Sequence, residues 1–332
     1  MRDLYNLHKF YSNGKSSKKL NNRRKSFGYQ VLGFGSGGAA ALVTNDNGLF
    51  GYGDTSGHVS MTNKVANTGV VATDTTGVGT ARMSLAATQY GGDKAIFGFG
   101  IIGGGGTKTA VTNLVSNSGV VATDVAGVGT ARYGLAACSF DSQDKGIFVY
   151  GANSAGTYVG TSNIVSSAGV IASDVCCASE LRYLVCGCEF GGDKGLIGLG
   201  YGPGHEWQSI TNMVSNTGVI ASDVSFTGTG RQGASGNSYG GDKGIFAYGY
   251  MAGGLNTSSL VSDVGVVGTD VSGVGTVRDT PGGCEYGQDK GIIGYGGGPK
   301  NMTNLVSNTG VVSADVTGVG TARAEIAACS YN

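Results

Sequence analysis

The sequence predicts an all-β fold, a β-propeller of four-stranded antiparallel blades, on three observations. A phrase of about 50 residues repeats in tandem along the chain. Short runs rich in Val, Ile, Phe and Tyr are punctuated by Gly, Asn, Asp and Ser clusters. Between those breaks nothing shows the 3.6-residue apolar period of a helix.

The repeat carries most of the weight. Its clearest copy runs Thr112-Asn-Leu-Val-Ser-Asn-Ser-Gly-Val-Val-Ala-Thr-Asp124-Val-Ala-Gly-Val-Gly-Thr-Ala-Arg132. It recurs from Thr62, Thr161, Thr211 and Thr303, and more loosely from Ser258. The closing arginines Arg82, Arg132, Arg182, Arg231, Arg278 and Arg323 are 50, 50, 49, 47 and 45 residues apart. A short apolar strand follows most of them, then an Asp-Lys turn at Asp93, Asp144, Asp193, Asp242 and Asp289, then an apolar run ending in Gly-aromatic-Gly or a variant.

Each unit reads as four strands. In the second full unit they fall at 133–140, 146–151, 112–117 and 119–124. The strands are apolar on both faces, which suits a sheet packed between two neighbours. The strand after each Arg is built of small residues, as in 134–138, and fits the crowded axis of a propeller. Two stretches lack a full unit: a strand at 29–35 and a strand at 324–331. They are expected to share a composite closing blade, giving seven blades, with six as the alternative. Closure would remove exposed sheet edges.

Composition agrees. Of 332 residues 64 are Gly and three Pro, and Gly does not recur at every third position, so collagen is excluded. The apolar fraction of 40%, in a regular pattern, argues against disorder. No apolar run reaches a membrane span and no secretory leader is visible, so no membrane partner is expected. Residues 1–26 hold eight Lys or Arg against Asp3 alone, whereas the rest of the chain is acidic by seven charges. The chain therefore divides into a basic, partly extended arm, 1–27, and a propeller, 28–332.

The order of Arg, small-residue strand, Gly-Asp-Lys turn, glycine-ended apolar strand, variable loop and two further strands resembles the kelch repeat, over residues 38–331. It departs from that pattern where Val120-Val121 replaces the Trp of the fourth strand, and where the double Gly becomes Gly-Tyr-Gly or Gly-Phe-Gly. The near-identical Gly/Thr/Val/Ala phrasing also resembles Gly-rich repeat proteins of tailed bacteriophages. That resemblance implies a structural or attachment component of a virion. The kelch resemblance implies a cytoplasmic protein-interaction or glycan-binding module.

Candidate site residues follow from where the copies differ. The second-to-third-strand loops (54–61, 101–111, 152–160, 201–210, 250–257 and 297–302) vary most. They hold the single Trp and two of the three His. Variable loops on a constant scaffold are where binding residues gather. His58, Tyr158, His205, Trp207 and Tyr250 are accordingly the candidate binding residues for a protein partner in an assembly or for a glycan or host-surface ligand.

Every closing Arg lies eight residues after an Asp, in the pairs Asp74–Arg82, Asp124–Arg132, Asp174–Arg182, Asp223–Arg231, Asp270–Arg278 and Asp315–Arg323. The regular spacing points to structural loop pairs, each Arg held by its own Asp or a neighbouring blade's backbone. In the arm, Lys18, Lys19, Arg23, Arg24 and Lys25 are candidate anchors for an acidic partner, and the arm alone offers a nucleic-acid contact through phosphates. Cys138, Cys188, Cys284 and Cys329 share one repeat position and read as buried packing residues. No nucleophile elbow, phosphate loop or metal-spaced His pair is found, so no catalytic residue, metal or cofactor is expected.

Overall fold

The computed structural model describes residues 45–177 and 179–332, and every regular element among them is a β-strand. Of eight antiparallel sheets among the described residues, six follow one another along the chain, giving a β-propeller-like architecture, and two are small loop sheets, Arg82–Met83 with Ile101–Ile102 and Thr107–Lys108, and Arg132–Tyr133 with Ala152–Asn153. Sheet 2 orders Ala86–Tyr90, Lys94–Gly98 and Thr112–Val115, and sheet 3 orders Ala136–Phe140, Lys145–Val149, Thr161–Val165 and Val175–Cys176. Sheet 4 contains Cys186–Phe190, Lys194–Gly198, Ile210–Val214 and Val224–Ser225. Sheet 5 contains Ser235–Tyr239, Lys243–Tyr250, Gly254–Val261 and Val267–Val271. Sheet 6 contains Gly282–Tyr286, Lys290–Gly294 and Thr303–Val306. Sheet 1 joins both ends of the described chain: Ala327–Tyr331 pairs with Asn47–Gly51, which pairs with Thr62–Val65.

Three expectations are corrected here. The repeat phrase at 112–124 completes the sheet before it, beside 86–98. Residues 136–149 pair instead with 161–165 of the following phrase. The fourth strand is short: two residues in sheets 3 and 4, and in sheet 2 only the bridges Thr112↔Val125 and Val115↔Val121. The last strand takes Asn47–Gly51 as its partner, the second strand of the first repeat. The expected partner at 29–35, like the basic arm 1–27, lies outside the described residues.

The first strands lie side by side in the order of sheets 2, 3, 4, 5, 6 and 1, and that of sheet 1 lies beside that of sheet 2. Their small side chains permit this approach. A Cβ at Gly236 would meet the backbone of Gly187, and one at Gly187 the carbonyl of Ala137. The second strands are buried on both faces, with Ile147, Phe148 and Val149 all fully covered.

Packing between sheets follows one rule of size. The fifth residue of each second strand receives a side chain from the second strand of the next sheet. A Cβ at Gly51 would lie 2.7 Å from the Phe97 ring, one at Gly98 2.9 Å from Phe148, one at Gly198 2.6 Å from Phe246, and one at Gly294 3.0 Å from Phe50. In sheets 3 and 5 the glycine is replaced by Val149 and Ala247. There the incoming residue shrinks to Ile197 and Ile293, within the same buried clusters. The incoming side chain thus shortens wherever the glycine gains a side chain, as dense interiors require.

The Arg residues clamp the same joints. The Arg132 guanidinium lies over the Phe99 ring of sheet 2, 4.1 Å from its centroid. It donates to Asn163 Oδ1 at 2.7 Å and to the Tyr150 carbonyl at 2.8 Å, both associated with sheet 3. Five of the six arginines are fully covered and Arg278 is 2% exposed. Their carboxylate partner is not the Asp eight residues before, as the spacing suggested, but the Asp of the next phrase: Arg132–Asp174 at 3.9 Å, Arg182–Asp223 at 3.7 Å, Arg231–Asp270 at 3.4 Å and Arg278–Asp315 at 3.7 Å. The chain turns back between the Asp and its own Arg, so they belong to successive joints. The same Asp accepts from the Thr two residues before its partner Arg, as in Thr130 Oγ1 to Asp174 at 2.6 Å. At the ends of the chain Thr321 Oγ1 donates to Asp74 at 2.6 Å, and Arg323 bonds to Asn63.

The Gly-aromatic-Gly ending explains how the Arg is reached. Tyr52, Phe99, Tyr150, Leu199, Tyr248 and Tyr295 are left-handed, and the next residue is always Gly, with φ between 106° and 114°. That region is closed to residues with a Cβ. It turns the Gly N–H onto the Arg carbonyl, as in Gly100 N to Arg132 O at 2.9 Å.

Candidate functional site on the variable-loop face

The variable loops leave the sheets as short hairpins beside the Arg-bearing connections. Arg132–Tyr133 pairs with Ala152–Asn153, Tyr183 bridges to Tyr201, and Tyr201 bridges to Trp207. This pairing brings the loops of sheets 3 and 4 into one aromatic patch. Tyr158 stacks on Tyr183 with centroids 4.8 Å apart and planes 23° apart. Tyr183 meets Tyr133 edge-on at 6.0 Å and Tyr201 at 6.2 Å. Tyr201 in turn meets Trp207 at 5.9 Å and His205 at 6.0 Å. Each of these residues except the exposed His205 is partly covered, so faces and edges remain open to a partner.

Polar groups border the patch. Gln208 Nε2 donates to Glu206 Oε1 at 2.8 Å and to Glu180 Oε1 at 3.3 Å. The Lys108 ammonium sits 4.8 Å from the Tyr133 ring centroid, a cation–π contact. The buried Trp207 Nε1 has no hydrogen-bond partner. Burial, then the neighbouring Tyr158, Tyr133, Tyr201 and Glu325, push the Tyr183 phenol up to about 12. Burial likewise raises Tyr133 and Tyr158. These rings therefore stay neutral phenols, apolar on the face and hydrogen-bonding at the tip.

Of the sequence candidates, the structure brings together Tyr158, His205 and Trp207. Tyr250 pairs with Gln232 and Gly254 on the loop of sheet 5, outside the aromatic contacts. His58 lines a separate hollow with Asp54, Ser56, Ala81 and Gly103. The loop arginines are too buried to meet an anionic ligand and serve the joints instead. Lys18, Lys19, Arg23, Arg24 and Lys25 lie outside the described residues.

Sequence reasoning passed over Tyr133, Tyr183 and Tyr201. The signal was present: Tyr133 and Tyr183 follow the closing Arg where other copies carry Met83, Gln232, Asp279 and Ala324. It also passed over the third-strand Asn113, Asn163, Asn212 and Asn304, which accept from the arginines.

Cys138, Cys188, Cys284 and Cys329 are free and buried, and burial raises their thiols. No helix among the described residues is long and apolar enough to cross a membrane. No protein-family model matches the chain, and no curated protein matches it.

Proposed function

We propose that this chain is a non-enzymatic structural or attachment component of a large assembly, a phage or similar virus particle, and that it meets its partner through the variable-loop face. The observation that carries this reading is the contrast between a scaffold built of near-identical joints and one aromatic patch formed by two adjacent variable loops and the Arg-bearing connections beside them. Uniform joints serve rigidity, whereas Tyr133, Tyr158, Tyr183, Tyr201 and Trp207 break the repeat together and expose aromatic surface of the kind that anchors interfaces.

In this reading the scaffold is a closed ring of six kelch-like blades, with sheet 1 as the composite closing blade. A cycle of hydrogen bonds around the axis supports closure. Gly134 N donates to Ser84 O, Leu184 N to Gly134 O, Gly233 N to Leu184 O and Thr280 N to Gly233 O, at 2.6–2.9 Å. Ser84 N reaches Glu325 O at 3.0 Å, and Glu325 N reaches Thr280 Oγ1 at 3.3 Å. All six residues are left-handed. The basic arm fastens the propeller to a neighbour in the assembly.

The stacked Tyr158–Tyr183 pair favours a second reading, a glycan-binding module. A sugar ring would lie on such aromatic faces, with Glu206 and Gln208 accepting and donating to its hydroxyls.

The test is sedimentation of the native protein with electron microscopy, paired with a glycan array on the purified chain. Recovery in a megadalton particle, lost when residues 1–27 are deleted, supports the assembly role. A free monomer with glycan binding abolished by Trp207→Ala and Tyr158→Ala supports the second reading. A free monomer that binds no glycan and no partner overturns both.

A further inference from the structure

At the end of the first strands, one equivalent place is held by Gln89, Ser139, Glu189, Ser238, Glu285 and Ser330. These surround the axis on the side of the Asp-Lys turns. Five of them line a cavity of about 40 Å³, room for an ion and a water. Glu189 is 6% exposed and Glu285 2%, and among the described residues no Lys, Arg or His lines the cavity. Two carboxylates so placed are costly without a counter-charge.

The neutral groups around them leave acceptors unmet. Ser139 Oγ donates to Glu189 Oε2 at 2.8 Å. The buried Gln143 amide faces both carboxylates, and its Oε1 accepts from Asn45 Nδ2 at 2.7 Å. Glu285 Oε2 has no partner, and neither has Asn237 Oδ1, from a side chain that is 4% exposed and lines the same cavity. The excess is entirely of oxygen acceptors, the donor set of a hard cation. Cys138, Cys188, Cys284 and Cys329 line the cavity too; like Asn237, at the same repeat position, they lean toward the next sheet, where a side chain at Gly195, Gly244 or Gly48 would strike the sulfur of Cys138, Cys188 or Cys284 and one at Gly291 the Asn237 amide nitrogen.

We propose that this axial cavity is a site for one divalent cation, of the oxygen-preferring class of Ca²⁺, held between the Glu189 and Glu285 carboxylates with Asn237 Oδ1. A half-turn of the Gln143 amide, matched by one of Asn45 so that Gln143 Nε2 donates to the otherwise unpartnered Asn45 Oδ1, adds its oxygen to the set. Charge balances, two carboxylates against one dication. Glu189 belongs to sheet 4, Asn237 to sheet 5, Glu285 to sheet 6 and Gln143 to the turn of sheet 3, so the ion would tie four sheets at the axis. Among the described residues no three His, Cys, Asp or Glu side chains are placed to hold a metal ion by themselves, so neutral oxygens must complete the shell.

The test uses the full chain stripped with EDTA, then titrated with CaCl₂, MgCl₂ or MnCl₂ at pH 7.5. Metal per chain is read after dialysis, and Tm by calorimetry. One equivalent bound, with Tm raised by about 5 °C at saturation, is expected. Both effects should be lost in E285Q and in E189Q/E285Q. No binding of any of the three at millimolar concentration to the wild-type chain overturns the proposal, whether or not the variants fold. So does binding that survives in E189Q/E285Q.

Discussion

The joint of sheets 2 and 3 pairs Gly98 with Phe148, and the next joint pairs Val149 with Ile197. Gly98→Val alone would set its Cβ 2.9 Å from the Phe148 ring, inside the 3.5–4.0 Å of a relaxed carbon contact. Overpacking of this kind costs about 1–3 kcal/mol. Phe148→Ile alone opens a void against Gly98 and costs about 1–2 kcal/mol. The double variant recreates the Val/Ile joint that the protein already uses one sheet later. Additive effects would place it about 2–5 kcal/mol below wild type, centred on about 3.5; complementarity places it within about 1.5 kcal/mol, a coupling of about 2 kcal/mol. Urea unfolding followed by far-UV circular dichroism on all four proteins measures this. A coupling energy within about 0.5 kcal/mol of zero would refute the size rule.

Three further outcomes follow from the same contacts. Arg132→Met strands the Tyr150 carbonyl and Asn163 Oδ1 and should cost about 3–5 kcal/mol, with Arg132→Lys between it and wild type; equal stability of Met and wild type would show that the guanidinium is not structural. Gly151→Ala, at φ 106° with its Cβ 2.7 Å from the Tyr133 carbonyl, should cost about 2–3 kcal/mol, whereas Gly134→Ala, at φ 62°, should cost only about 1 kcal/mol; thermal melts that reverse this order would contradict the assignment. Burial acts to raise Asp74, Asp124, Asp174, Asp270 and Asp315, but hydrogen bonds from Thr and Asn or Ser, with the Arg charge, outweigh it and hold each below its ordinary value. A depressed folded pKa gives stability that is present above about pH 4, the unfolded value, and is lost as pH falls through the folded one. Tm should therefore drop below about pH 4, and Asp74→Asn should be less stable at pH 6 with the difference closing in acid; a constant difference between pH 6 and pH 2 would exclude this linkage.

The sequence by itself determined the strand class, the repeat, the glycine-ended second strands and the small-residue first strands. These depend on local backbone preference and on period, which a linear reading contains. It also marked the variable loops, because repetition gives its own baseline against which Trp207 and Tyr158 stand out. What it left open is the identity of partners across joints. Asp124 and Arg132 are eight residues apart, yet the chain reverses between them, and each serves a different neighbour. The grouping of 112–124 with 86–98 rather than with 133–151 is a matter of which strand lies nearest in space. Only the tertiary structure decided that Ala327–Tyr331 pairs with Asn47–Gly51, that Tyr133, Tyr183 and Tyr201 join Tyr158 and Trp207, and that Glu189 and Glu285 share one cavity. Each of these contacts joins residues far apart in sequence, and side-chain volume and hydrogen-bond satisfaction at the joints select among pairings that the repeat pattern leaves equivalent.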